Sequence, residues 1–384
     1  MTARTIIVTG ARAPAALHIG RIFKVAGWRV VLADTFRAPM TRASRMIDRF
    51  VQLPAPRAKF AAYADAVRQL VAREAPALVV PTCEEVFYLA AARDRRGVVM
   101  PLLAPPFYVL ARVHNKADFA VLSRGHGADA PETTRLSNST DVARVAAMAD
   151  DLVFKPAWSR FGSRVLIRPD AVRVASLRPT AADPWVAQTF LPGIENSAYA
   201  VAHGGRLLAF QAYQPTYRLG QGAGIAFVPV VNDTARAFVA GFVAARKWTG
   251  QISFDFRHDA EGRLRVIECN PRATSGVHYF GGADGLDRAM LGTGPAVATG
   301  TAAMTLPLAM IAYGLPQALR NRAVRQWWTD FRAMDDLSAW PGDRGLLGAQ
   351  LRSLGEIAVR AVRNHTGLVD ASVRDIEWDG ENLA

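Results

Sequence analysis

Apolar positions fall into two regimes along the chain. In the first hundred residues, short continuous apolar runs alternate with longer stretches in which apolar residues recur every three or four positions. Residues 4–8 form one such run, followed by Gly10, a helical stretch over 13–26, Gly27 as a helix stop, and a second run over 28–33 that ends on Asp34. Continuous runs bounded by turn signals suit strands buried on both faces, and the three-to-four spacing suits amphipathic helices. A further helix is predicted over 59–74, with strands over 77–80 and 98–102. Strands and helices in alternation predict an α/β opening with an open parallel sheet.

From residue 151 the pattern changes to short strands joined by turns, predicted over 152–155, 164–167, 185–190, 197–202, 207–213 and 225–231. A helix over 233–247 then precedes two last strands over 251–258 and 264–270. This is an α+β pattern and largely antiparallel. After Gly300 the chain turns helical, with an amphipathic stretch over 346–362 and an acidic tail.

Composition narrows the picture. The length of 384 residues fits two or three domains. Half of the residues are hydrophobic and no segment is low in complexity, so globular units with sizeable cores are expected. The net charge of +13 is mostly scattered arginine without an RNA-binding or zinc-finger motif, so nucleic acid is not an expected partner, whereas an anionic small molecule is. The first ten residues hold only a short apolar run, and the two cysteines are too few for a disulfide framework or metal cluster. A cytoplasmic protein without membrane anchoring is expected, and a homodimer stays open.

Two places offer chemistry. The opening could be a dinucleotide fold with Asp34 as its ribose acid. However, Gly10-Ala11-Arg12-Ala13-Pro14-Ala15 lacks the glycines that let a pyrophosphate approach the backbone. The stronger candidate is the segment from Phe254 to Arg272. Alternation places Asp255 on one face of its strand, and Glu268 with Asn270 on one face of theirs. A hairpin turning symmetrically about Glu261-Gly262 sets Asp255 opposite Glu268. Opposed carboxylates on neighbouring strands repel unless a cation lies between them, and two carboxylates with an amide oxygen suit magnesium bridged to phosphates. The plainer alternative is an exposed hairpin whose polar face meets water. Asn270-Pro271-Arg272 favours the cation, because proline stops the strand and the guanidinium then points at whatever the metal holds.

The stretch 266–276 resembles the metal-binding strand of the ATP-grasp superfamily, the group that includes biotin carboxylase, carbamoyl phosphate synthetase and many amino-acid ligases, and Asp255 matches its upstream metal ligand. Three further motifs follow in the matching order. His114-Asn115-Lys116 resembles the lysine that opens the ATP-binding region, with Asn115 where an Asp is more usual. Val153-Phe154-Lys155-Pro156 and the loop 157–163 resemble the lysine strand and the flexible loop over the phosphates, although this loop has Gly162 alone. The segment 186–195 is similar to the hinge that reads adenine and offers a glutamate to the ribose; Gln188, Phe190, Leu191 and Glu195 are the matching positions.

The resemblance implies an α/β N-terminal domain over 1–114 and an ATP-grasp domain over 115–300, its smaller part 115–185 and its larger part 186–300. A helical extension follows over 301–384. It further implies ATP with magnesium, or manganese in its place, held by Lys116 and Lys155 on the phosphates and by Asp255, Glu268 and Asn270 on the metal. Arg272 is then the catalytic group. The implied reaction is an ADP-forming ligation of a carboxylate to an amine. An ATP-dependent carboxylase or formate-using enzyme, and a non-catalytic nucleotide-binding protein, are the alternatives. Glu84, Glu85, Arg218 and His278 are secondary candidates, each with an ordinary structural reading beside it.

Overall fold

In the computed structural model, which describes residues 4–158, 164–218, 222, 224–343 and 345–383, the opening apolar runs become the strands Thr5–Thr9 and Arg29–Asp34. The helix Pro14–Val25 joins them, and Pro14 suits its first turn, where no backbone N–H is needed. With Leu78–Val80 and Arg49–Gln52 they make a parallel sheet in the order Arg49–Gln52, Arg29–Asp34, Thr5–Thr9, Leu78–Val80. The edge strand Arg49–Gln52 was not expected, since its half-exposed residues carry no apolar run. The strand expected over 98–102 reduces to one isolated bridge between Val79 and Leu102, because Pro101 has no N–H to give a ladder.

The middle of the chain divides into two sheets. The larger has seven strands, in the order Leu264–Asn270, Gly250–His258, Glu195–His203, Arg206–Arg218, Gly224–Val230, Met304–Thr305, Asp335–Asp336. Its central hairpin turns through Gly204 and Gly205, both at positive φ (56° and 84°), the backbone that a two-residue turn of this twist requires. The helix Asp233–Ala245, capped by the Asn232 side chain, lays Phe238 and Phe242 on one face of this sheet, 5.3 and 5.1 Å from the Phe254 ring. Ile252, Phe254 and Phe256 are buried on that face, so strand alternation turns Ser253, Asp255 and Arg257 to the other. The smaller sheet runs Thr133–Leu136, Trp185–Thr189, Leu152–Pro156, Leu166–Ile167, over its own core of Leu136, Phe154, Val174 and Trp185.

Past residue 300 the chain forms the helices Leu315–Arg320, Val324–Ala333 and Leu347–Asn364. It also lends the large sheet its last two strands, Met304–Thr305 and Asp335–Asp336, which the helical reading of this region had not included. The tail then returns to the N-terminal sheet. Arg12 is held between Asp34 and Asp375, each at 2.6 Å, and the Tyr88 hydroxyl donates to the Glu377 carbonyl at 2.7 Å. Among the described residues, no helix is long and apolar enough to cross a membrane.

Candidate functional site

The polar face of the large sheet looks across at the smaller sheet, and between them lies a cavity of about 340 Å³. Every residue singled out from the sequence as a primary site candidate lines it. At its floor, Asp255 pairs with Glu268 across the hairpin. The symmetric register holds from Ser253 to Asp255, then shifts by one residue at a bulge between Asp255 and Phe256. The bulge falls on the turn side, so it spares the facing carboxylates.

The Asp255 carboxylate accepts from the Ser197 hydroxyl at 2.6 Å and from the Asn270 amide nitrogen at 3.0 Å. Burial pushes its pKa up, and the charges of Glu268 and Glu195 push it further. Glu268 faces the opposite balance. Burial disfavours its charge, but Lys116 at 3.7 Å and Lys155 outweigh that and hold its carboxyl low. The Lys155 ammonium lies 3.4 Å from the Ile267 carbonyl, and burial draws its pKa down to about 8, partly offset by Glu268. Lys116 and Lys155 are both buried, as a solvated surface lysine would not be.

Asn270 does not present a free carbonyl: its oxygen accepts from Arg272 at 3.1 Å while its nitrogen serves Asp255. Arg272 also lies 3.9 Å from Glu84, a buried acid at the end of the N-terminal sheet. Glu84 therefore reaches the site, whereas its neighbour Glu85 is taken up locally by the Thr9 hydroxyl and the Thr82 amide. Sequence reasoning weighed both as helix-start acids. Both lie beyond the carboxyl end of a parallel strand, where open sheets gather function, and that placement does not separate Glu84 from Glu85.

At the other end of the cavity, Gln188 is buried and donates to Thr133 at 2.9 Å, and Phe190 and Leu191 follow as the strand leaves the small sheet. Glu195 is gripped by Arg218 at 2.6 Å and by Arg257 at 3.3 Å. Arg257 is a partner that the sequence pattern did not single out, although it shares the face of Asp255. Residues 159–163 of the expected phosphate loop, and 219–221 and 223 of the glycine-rich segment, lie outside the described residues. His278 stands apart, in a second cavity.

The tail touches this site as well. Trp378 stacks on Phe87 with ring centroids 4.9 Å apart and meets Trp158 edge-on at 4.9 Å. Trp158 follows Ala157, whose carbonyl accepts from the Lys116 amide at 3.1 Å.

The donor set can be tested against a metal. Among the described residues no group of three or more His, Cys, Asp or Glu is positioned to hold one. Two carboxylates and an amide are what remains, which fits a magnesium ion whose shell is completed by water and phosphate oxygens and does not fit a site made by protein alone. Two carboxyl groups facing each other in a buried pocket, with Asp255 raised by burial and then by its acidic neighbours, suit an added positive charge.

No family model and no curated protein sequence matches the chain. Solved structures do. An N5-carboxyaminoimidazole synthetase from Staphylococcus aureus superposes with a TM-score of 0.61 at 16% identity, over 83% of this chain and 86% of that one. An L-amino acid ligase from Bacillus licheniformis gives 0.56 at 16% identity, over 75% and 74%. The biotin carboxylase domain of the Hydrogenobacter thermophilus 2-oxoglutarate carboxylase, solved with MgADP, ADP and bicarbonate, gives 0.60 at 13% identity, over 78% and 71%. At these identities the likeness is one of fold, and the chain has the ATP-grasp fold.

Proposed function

We propose that the protein binds ATP with magnesium in this cavity and joins a carboxylate to an amine, releasing ADP and phosphate. The observation that carries this reading is the meeting of two buried lysines with two facing carboxylates and Arg272 in one cavity. The solved relatives support it: one is a ligase and another was captured with MgADP and bicarbonate. Residues 1–114, 115–300 and 301–384 would act as an opening domain, the nucleotide-binding domain and an extension that closes against both.

Lys116 and Lys155 pair with the phosphates, which suits compact ammonium groups. The backbone about Gln188, Phe190 and Leu191 borders the adenine, and Glu195 takes the ribose hydroxyls once Arg218 yields part of its hold. Asp255, Glu268 and Asn270 would hold the metal. Bound magnesium neutralises phosphate charge, and the protein's own share is positioning and electrostatic stabilisation. The substrate carboxylate attacks the terminal phosphorus, a carboxyl O–P bond forms and the bridging P–O bond to ADP breaks. The amine then attacks the acyl carbon, phosphate departs and the amine loses a proton. Arg272, held beside Glu84, steadies the charge that develops at that carbonyl.

The test is a screen of acids and amines, bicarbonate among the acids, for ADP release in the presence of ATP and magnesium. ADP should appear only with acid, and a carboxylate labelled with heavy oxygen should pass label to inorganic phosphate when the amine is present. Formation of AMP and pyrophosphate, or ADP release at the same rate without acid, would overturn the reading.

A further inference from the structure

A second cavity, of about 1020 Å³, opens where the N-terminal helix, the Ser275–Tyr279 turn and the C-terminal extension meet. That turn borders both cavities, Ser275 facing the first and His278 with Tyr279 facing this one. Its size is at the upper end of ligand pockets, and its walls are mostly apolar and aromatic, including Phe280, Leu308, Met304 and Trp340. In a chain of net charge +13, no lysine or arginine lines it among the described residues, while Asp335, Asp336 and Asp343 do.

The three carboxylates are not equivalent. Asp343 is spent on Arg21 at 2.8 Å, a fully buried pair, and on the Arg45 amide. Asp336 is held by the Ser338 amide at 2.8 Å and hydroxyl at 2.7 Å through one oxygen, and its other oxygen has no hydrogen-bond partner among the described residues. Asp335 is exposed. Among the described residues, the charged and titratable groups that share this cavity with Asp336 are Asp335, Asp343 with its partner Arg21, the Tyr279 phenol and two imidazoles. His18 and His278 stack edge-on at 4.8 Å, and burial keeps both neutral at pH 7. His18 donates to the Phe280 carbonyl at 2.8 Å. The Nδ1 atom of His278, a residue 8% exposed, has no hydrogen-bond partner among the described residues.

We propose that this cavity binds the ammonium group of a small apolar amine, with Asp336 as its counter-charge and the aromatic wall covering its hydrocarbon body. Among the described residues, a carboxylate or phosphate would meet only like charge there. A metal ion would find too few ligands, since no trio of His, Cys, Asp or Glu is assembled among the described residues. The inference makes no use of the nucleotide reading and stands or falls apart from it.

Calorimetric titration without nucleotide, at pH 7.5, tests it with three matched pairs: hexylamine and heptanoate, phenethylamine and 3-phenylpropanoate, tryptamine and indole-3-propionate. At least one amine should bind with one-to-one stoichiometry and at least tenfold more tightly than its acid. Asp336→Asn, which keeps an oxygen for Ser338, should lose at least tenfold of that affinity while the melting temperature and ADP affinity stay unchanged. Leu308→Asn, which takes apolar surface from the wall, should weaken amine binding several-fold. Amine and acid binding alike, none of the amines binding at millimolar concentration, or Asp336→Asn binding as the wild type does would overturn the proposal.

Discussion

The facing pair Asp255 and Glu268 carries opposite stability costs, although the sequence presents the two residues as equals. Alternation was enough to put both carboxylates and Asn270 on one face, because the side-chain period of a strand leaves no other choice. It could not reveal that Lys116 and Lys155 crowd Glu268, since those lysines arrive from a helix start and from the other sheet. Relief of repulsion on substitution therefore belongs to Asp255, whose charge is opposed by burial, Glu268 and Glu195. Asp255→Asn should raise the melting temperature of the nucleotide-free protein in EDTA at pH 7.5 by a few degrees, on the order of 1 kcal/mol, and abolish ADP release. Glu268→Gln should lower that melting temperature, because it leaves two buried ammonium groups without their counter-charge. The gain from Asp255→Asn should shrink as pH falls toward 4, where the carboxyl of the unfolded chain takes up a proton as well. Equal melting shifts of one sign for both variants would contradict this division.

Elements with their own periodicity were legible, and those defined by what they touch were not. The hairpin Gly250–His258 with Leu264–Asn270 announces itself by alternation, a glycine turn and a terminal proline. The edge strand Arg49–Gln52 has no pattern and exists because Arg29–Asp34 offers it a ladder. The tail over 372–383 is the strongest case, since nothing in its acidic composition foretells that Trp378 fills a ring cluster beside the site. Gly380 makes that contact possible. Its φ is +90°, and a Cβ there would stand 2.6 Å from the Trp158 indole nitrogen. Gly380→Ala must displace Trp158, which follows the carbonyl that anchors the Lys116 amide. ADP affinity should fall by about five- to tenfold, roughly 1 kcal/mol, while the unfolding midpoint in urea moves little because the tail is peripheral to the main cores. Unchanged ADP affinity in a calorimetric titration would mean that the tail only covers the surface.

Across the whole molecule, the N-terminal sheet, the large sheet and the extension are joined by buried groups that are held in one charge state. Arg21 and Asp343 remain ionised because each neutralises the other, whereas His18, His114 and His278 remain neutral because burial offers no counter-charge strong enough. His18 sits at the junction of all three parts, bonded to Phe280 and packed on His278 and Trp340. Burial lowers its pKa from the ordinary 6.5 to about 4, so between those values the unfolded chain binds a proton that the folded one refuses. Its contribution to stability is thus fully present above pH 6.5 and is lost as pH falls through that window, at up to about 1.4 kcal/mol per pH unit. Groups such as Asp255, whose pKa is raised, act with the opposite sign in the same range, so the net slope of the wild type does not isolate His18. A difference does. His18→Gln keeps a side-chain N–H within reach of the Phe280 carbonyl but cannot take the proton. Urea unfolding at a series of pH values should give wild type and variant similar stabilities at pH 7.5, and a variant that is more stable than wild type by roughly 2–3 kcal/mol at pH 4.5. Parallel curves across that range would mean that His18 is charged in the folded protein, and that the junction accommodates a cation which its described residues do not explain.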